Sequence, residues 1–287
     1  MKNKKNDVMI RLKTYIKRPW FLLEEKFAHL IKPPYANIFI ITKFNIELPK
    51  QNKNKILSQD KIFLNEEYLA KRFELFEKFY IPSLLAQTDK DFKIIVFFHP
   101  DTPDIFKSKI EEYKTKFEDR FIAIYSKNYD IEKLKNVIYD NKKSGSRIIT
   151  ARLDNDDALS CYFVETLRKT HTVLSDMYIN FEKHVMFVEK ENKYYYFACN
   201  RGHFISKVEE LNSVSDTNFK SVYLKDDGTL LNHSNINATF ARFLNVKNLP
   251  LCLEVVHDNN ILNCKESKNT VECKDKKVID SFVINNI

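Results

Sequence analysis

Glycine is scarce in this chain: Gly145, Gly202 and Gly228 are the only three among 287 residues, and they lie far apart. The GxGxxG dinucleotide turn and the GxxxxGK[ST] phosphate loop each need two or more glycines within a few residues, so both are excluded. If the protein holds phosphates, it must neutralise them with a metal ion or with Lys, Arg and His. There is no GxSxG elbow, no HExxH pair and no cysteine-centred protease signature. No run of ~18 apolar residues occurs, so no membrane-spanning helix is expected. The five cysteines are odd in number and contain no CxxC pair. That argues for reduced thiols in a cytosolic protein rather than a disulfide framework or a zinc knuckle. The chain begins "MKNKKNDVMIRLK", without a signal peptide's apolar core and cleavage site, and a cytoplasmic location is expected.

What the chain does have is apolar and basic. With 44% hydrophobic and 13% aromatic residues it can bury a large core. Lys and Arg outnumber Asp and Glu by 47 to 39, a formal charge of +8, which favours an anionic partner. Part of that excess is concentrated in residues 1–32, where Lys2, Lys4, Lys5, Arg11, Lys13, Lys17 and Arg18 precede "PWFLLEEKFAHLIK". Two readings of this segment stand: a helix packed on the domain, or an amphipathic helix in peripheral contact with the inner membrane leaflet.

From Ala36 to Val173 apolar strands alternate with helical periodicities, the pattern of parallel βαβ units. Strands are expected at "ANIFIIT", "KIIVFF", "RFIAIYS" and "RIITARL". Helices are expected over Glu66–Phe79, with Leu69, Phe73, Phe76 and Tyr80 on one face, after Thr102 as cap with Pro103 first, over Ile131–Tyr139, and over Ala158–Val173. Beyond that the alternation breaks into a hairpin turning near Glu191 and Asn192, a strand at "FKSVYL" and a late strand in "LPLCLEVVHDNN". The expected fold is α/β, a single domain with a mostly parallel, Rossmann-like sheet in its first half and antiparallel strands in its second. Its expected boundaries are 1–32 for the basic segment, 33–265 for the catalytic domain and 266–287 for a C-terminal tail.

Within "RIITARLDNDDALS", Asp154, Asn155, Asp156 and Asp157 follow a buried strand. In open α/β sheets ligands bind at that carboxyl edge. Mg²⁺ and Mn²⁺ prefer oxygen ligands and are commonly held by one or two carboxylates plus substrate phosphates. The competing explanation is a helix N-terminus, where carboxylates cap free N–H groups.

"RFELFEKFYIPSLLAQTDKDFKIIVFFHPDTP", then "ITARLDNDDAL", then "LEVVHDNN" together resemble a bacterial rhamnosyltransferase family of GT-A-like glycosyltransferases, distantly similar to glycosyltransferase family 2. The resemblance spans roughly residues 36 to 262. It implies a metal-dependent transfer of a sugar from a nucleotide-sugar donor to a hydroxyl of a surface glycan or lipid-linked acceptor, with Mg²⁺ or Mn²⁺ as cofactor. It assigns Asp154 to the ribose, Asp156 to the metal, Asp157 to a supporting or acceptor-side part, and Thr42 and Asn45 to the base or ribose. Family members often carry Arg where this chain has Lys43. Arg72 and Asp101 complete the nucleotide-binding candidates; their alternatives are a surface ion pair with Glu66 or Glu67, and turn chemistry in "HPDTP". His257 matches the family's closing His, as a second metal ligand or a diphosphate contact, and His233 is a phosphate-side candidate. For an acceptor base the carboxylates Glu209, Glu210, Asp226 and Asp227 are open, with Glu210 carried alongside Asp157 as a catalytic candidate.

Two rival classes remain from the sequence. A sugar nucleotidyltransferase would want a Gly-rich loop after the first strand, and "TKFNIELPKQNKNK" has none. A non-catalytic glycan- or nucleic-acid-binding module would use the basic charge and Tyr194, Tyr195 and Tyr196, but gives no reason for three carboxylates at a strand end. No nucleic-acid partner is expected.

Overall fold

The computed structural model describes residues 34–47, 62–170, 174–199, 202, 204–225, 228–231, 242–247, 249–257 and 269–285. Four strands form a parallel block: β1 (Asn37–Lys43), β2 (Lys93–Phe98), β3 (Phe121–Tyr125) and β4 (Arg147–Arg152). Every residue of β1 except Lys43 is buried. Ile38 and Ile40 join the apolar cluster on one face of the sheet, while Phe39 and Ile41 join the cluster on the other. Burial on both faces is why the centre of β1, like that of β2, is a continuous apolar run.

The helices cover those faces. They are α1 (Glu66–Leu75), α2 (Ile81–Leu85), α3 (Asp104–Phe117), α4 (Ile131–Asn141), α5 (Phe163–Thr170) and α6 (Lys276–Asp280). Leu69 and Phe73 of α1 pack with Phe106 and Ile110 of α3 on one face, and Leu134 and Ile138 of α4 lie on the other. Asn65 starts α1 by accepting the Tyr68 N–H at 2.9 Å. The expected apolar face, Leu69, Phe73, Phe76 and Tyr80, is fully buried. Between α1 and α2 the chain winds through a π turn, Phe76–Tyr80. Pro82 has no N–H to donate, and the Glu77 and Lys78 carbonyls are taken instead by the side-chain amide and backbone N–H of Asn285, both at 2.9 Å.

The second half adds β6 (Met177–Phe181), β9 (Ile205–Glu210) and β10 (Arg242–Val246) to the large sheet, giving the order β10-β6-β9-β4-β1-β2-β3. Only β9 runs antiparallel to its neighbours in that sheet. A second sheet contains β5 (Ala158–Leu159), β7 (Lys183–Val188), β8 (Lys193–Ala198), β11 (Cys252–Val256) and β12 (Thr270–Glu272), in the order β12-β8-β7-β11-β5. The fold is mixed α/β with a mostly parallel main sheet, as expected, and the antiparallel pairs fall in the second half. The expected hairpin turns at Asn192, which adopts a left-handed φ of 50°. Within the segment expected as a tail, β12 pairs with β8 and Phe282 is buried. Residues 1–32 lie outside the described residues. Among the described residues no helix is long and apolar enough to cross a membrane.

Three expectations are corrected. Thr102 does not cap α3: Pro103 stands at the cap position, and the Thr102 hydroxyl donates to the His99 carbonyl at 2.7 Å. Ala158–Val173 is not one helix, because Ala158 and Leu159 pair with β11 and the helix begins only at Phe163. "FKSVYL" is not a strand. Ser221 takes a left-handed φ of 61°, and the segment crosses the sheet face, with the Val222 N–H on the Thr150 hydroxyl at 2.8 Å and the Tyr223 hydroxyl on the Ile41 carbonyl at 3.2 Å.

Phe73 stacks on Phe106 at 4.9 Å and meets Phe44 at 4.5 Å while 1% exposed. Phe73→Ala is expected to lower unfolding stability by about 3–5 kcal/mol, read from urea denaturation.

Candidate active site at the sheet's carboxyl edge

Strands β2 and β3 lie on one side of β1, and β4 lies on the other. The winding direction therefore reverses between β1 and β4, and the crevice outside their carboxyl ends is where open α/β sheets bind ligands. Thr42 and Lys43 close β1 there, and Arg152 to Asp157 leave β4 there. The Leu153 N–H donates to the Ile41 carbonyl at 3.3 Å and the Thr42 hydroxyl to the Leu153 carbonyl at 2.8 Å, which carries the pairing one residue past the strand. The chain then crosses to the second sheet as β5. This crossing rules out the helix-cap explanation of the carboxylates, since six residues separate Asp156 from the start of α5.

Every residue of the acidic run is engaged, Asn155 and Asp156 by the same arginine. Asp154 takes a two-pronged contact from Arg152, Nε to Oδ1 at 3.2 Å and Nη2 to Oδ2 at 3.0 Å. Asn155 is buried; its amide donates to the Phe44 carbonyl at 3.3 Å and its carbonyl oxygen accepts from Arg72 Nη2. Asp156 Oδ2 accepts from Arg72 Nη1 at 3.0 Å and faces His257 Nε2 at 3.2 Å. Asp157 is buried, and its Oδ1 accepts the Val255 N–H of β11 at 2.9 Å. Strand β5 pairs with β11 only as far as Ala158 opposite Leu253, so this side chain adds a rung where the backbone has turned away.

Charge decides the protonation states. Burial alone would raise the Asp156 pKa, but the Arg72 charge and the His257 hydrogen bond outweigh it and hold the carboxyl below its ordinary value. Burial likewise works against charge on Arg152, and Asp154 overrides it, so that guanidinium is held above its usual range. Lys43 differs. Burial, aided by Arg152 and opposed by Asp154, pushes its ammonium down to about 8. Lys43 Nζ lies 4.4 Å from the centre of the Tyr223 ring, and the Arg152 guanidinium lies 5.3 Å from the same ring. The crevice thus combines Asp154 and Asp156 with three cations, Lys43, Arg72 and Arg152.

The sequence matches the family described as "Putative rhamnosyl transferase" over residues 39–268. The chain belongs to this family of glycosyltransferases. No curated protein matches the sequence. Among solved structures the chain is similar to S. aureus TarS 1–349, with 12% identity and a TM-score of 0.41 over 77% of this chain and 60% of that one. A second S. aureus TarS structure is similar at 10% identity and a TM-score of 0.37, over 77% of this chain and 37% of that one. The chain therefore spans less than two thirds of the length of either.

Of the residues singled out in this rhamnosyl transferase family member, the structure brings Arg72, Asp154, Asp156 and His257 together. Arg72 pairs with Asp156 rather than with Glu66 or Glu67. Thr42 and Asn45 are at the right edge but buried at 0% and 2% exposure. Thr42 Oγ1 is shared between the Leu153 carbonyl and the Tyr80 hydroxyl, the latter at 2.8 Å. Asn45 accepts the His99 N–H at 3.0 Å and donates to Thr102 Oγ1 and the Phe63 carbonyl. Both side chains brace the crevice instead of lining it. Asp157 is buried as well, and of the supporting and acceptor-side parts its contact with the Val255 N–H fits the supporting one, bracing β11 just before His257. Asp101 is exposed beside His99, whose Nδ1 accepts the Asp101 N–H at 3.1 Å, and it touches none of the acidic run.

Glu210 is not brought to the crevice. It pairs with Arg147 at the start of β4, about 17 Å from the strand's other end at ~3.3 Å per residue, and meets Arg147 Nη2 at 3.0 Å. Glu209 is buried against Lys207 at 2.9 Å. Asp226, Asp227 and His233 lie outside the described residues. Arg152, Asn155 and Tyr223 are the participants that sequence reasoning missed. For Arg152 a signal existed: residues two apart in an extended chain share a face, which sets Arg152 beside Asp154.

Lys43 has a pH signature. Its ammonium titrates near 8 in the folded protein against 10.5 for an unhindered lysine, so below 8 the fold bears the cost of the buried charge, and above 10.5 that cost is gone. Lys43→Met is therefore expected to melt above the wild type at pH 7, with the gap narrowing as pH rises from about 8 toward 10.5 in thermal melts.

Proposed function

We propose that this protein transfers a sugar from a nucleoside diphosphate donor to a hydroxyl of a surface-glycan or lipid-linked acceptor, with Mg²⁺ or Mn²⁺ bound at Asp156 and His257. The observation that carries this reading is the juxtaposition at the β1/β4 switch point of two partly accessible carboxylates with Lys43, Arg72 and Arg152. A departing nucleoside diphosphate needs fixed cations or a Lewis acid to take up its charge, and this crevice holds cations without a glycine loop.

The residues suit a divalent ion of the hard, oxygen-preferring kind. Asp156 Oδ2 and His257 Nε2 are 3.2 Å apart, close to the ~3 Å between adjacent ligands of an octahedral ion with ~2.1 Å bonds. Among the described residues no group of three or more His, Cys, Asp or Glu side chains could hold a metal. The shell would be completed by donor phosphates and water, as Mg²⁺ commonly allows. Such an ion supplies Lewis-acid stabilisation of the leaving diphosphate. The chain's own part is to place and neutralise: Asp154, oriented by Arg152, is set to accept from ribose hydroxyls, and Arg72 and Lys43 face the phosphates.

Calorimetric titration of UDP, GDP, dTDP and CDP, with and without Mn²⁺, tests this. One nucleotide is expected to bind in a Mn²⁺-dependent manner, and Asp156→Ala to abolish that dependence while the protein stays folded by circular dichroism. If no nucleoside diphosphate binds the folded protein, the reading fails.

A further inference from the structure

Arg72 is held by three different relationships at once. Its Nη1 donates to Asp156 Oδ2 at 3.0 Å, its Nη2 donates to Asn155 Oδ1, and its Nε is buried with no hydrogen-bond partner. The side chain is 13% exposed, as is that of Asp156. A buried guanidinium N–H left without an acceptor is unusual, because desolvating it unpaired is costly. It marks donor capacity that the protein itself does not use.

The oxygen it shares is fully subscribed. A carboxylate oxygen accepts in two lone-pair directions, and Asp156 Oδ2 already faces both Arg72 Nη1 and His257 Nε2. A guanidinium neither deprotonates nor ligates a metal. A cation that takes Oδ2 therefore displaces Arg72 from it.

Its anchor lets it move without being lost. Nη2 rests on Asn155, a neutral side chain that is itself tied to the Phe44 carbonyl at 3.3 Å. Arg72 belongs to α1, whose Leu69 and Phe73 are buried in the core and fix the helix in place. Rotation about that anchor frees Nη1 from the carboxylate, while Nε and the second N–H of Nη2, which share the other edge of the guanidinium, form a two-pronged donor suited to a phosphate.

We propose that Arg72 is an exchangeable counter-ion, which neutralises Asp156 until a divalent cation arrives and is then passed to the donor's diphosphate, coupling entry of the cation to entry of the nucleotide. This rests on the donor and metal reading above. By linkage the coupling is reciprocal: whatever the nucleotide gains from a site already holding the cation, the cation gains from bound nucleotide.

The test is Mn²⁺ binding followed by loss of the free-ion electron paramagnetic resonance signal, with and without the nucleoside diphosphate that binds in calorimetry. Removing the competing cation in Arg72→Gln is expected to tighten Mn²⁺ binding to the nucleotide-free protein about tenfold, within the usual range of coupled sites. The gain in Mn²⁺ affinity on adding nucleotide is expected to shrink by a similar factor. A residue that merely positions Asp156 would do the opposite, and weaker or unchanged Mn²⁺ binding in the variant overturns the exchange. Arg72→Met, which keeps the aliphatic stem, repeats the measurement if the Gln variant folds poorly, and Mn²⁺ should raise its melting temperature more than that of the wild type. Absence of Mn²⁺ binding in the wild type and both variants, with nucleotide present, would remove the metal reading itself; Mn²⁺ binding by the wild type that the variants do not exceed would remove only the exchange.

Discussion

A largely enclosed carboxylate at the meeting of two sheets stays charged only if donors converge on it, and at Asp156 they come from far along the chain. Arg72 lies 84 residues before it and His257 lies 101 residues after. The large sheet supplies the aspartate, the first helix the arginine, and the second sheet the histidine. Removing one partner of a buried pair leaves an uncompensated charge, which is among the costlier defects in a protein interior. The charge balance at this point therefore joins three separate packing units: α1 on the large sheet, the crossing from β4 to β5, and β11 in the second sheet.

The rest of the crevice follows from the same constraint. Arg152 and Asp154 neutralise each other with a two-pronged contact, and Tyr223 gives the guanidinium and Lys43 an aromatic surface where no carboxylate is spare. The π turn after α1 belongs to this arrangement, because it delivers the Tyr80 hydroxyl to Thr42 and so pins the end of β1. Around the opening the three cations Lys43, Arg72 and Arg152 outnumber Asp154 and Asp156 by one.

The architecture was legible because its signals are local. Strands β1, β2, β3 and β4 are apolar on both faces, and the 69, 73, 76 and 80 spacing marks a helical face even though the turn at Pro82 is irregular. The segment after the acidic run misled because Ala158 and Leu159 are as compatible with a helix start as with a two-residue strand; only the partner strand, almost a hundred residues later, decides. "FKSVYL" misled for a related reason, its apolar residues being buried by lying across a sheet rather than by joining one. The place of the site could be read from a strand followed by carboxylates. The duties of its members could not. Whether Thr42, Asn45 and Asp157 face a ligand or a backbone group depends on contacts with residues such as Leu153, His99 and Val255, which no spacing rule brings together. Arg72 was found as a nucleotide-side candidate, but its pairing with Asp156 was not legible, since Glu66 and Glu67, its neighbours in sequence, look like sufficient company.

The rung that Asp157 adds to β11 alters how substitutions in the acidic run should be interpreted. Three acids in four positions invite the assumption that each takes part in chemistry, and a scan that replaces them one at a time would find activity sensitive at all three. At Asp157 that sensitivity has a different origin. Without its carboxylate the Val255 N–H loses a partner, the end of β11 loosens, and His257 two residues further on drifts from Asp156. An inactive Asp157 variant would report a misplaced histidine, and the third acid of the motif belongs to the scaffold that the first and last members of the site stand on.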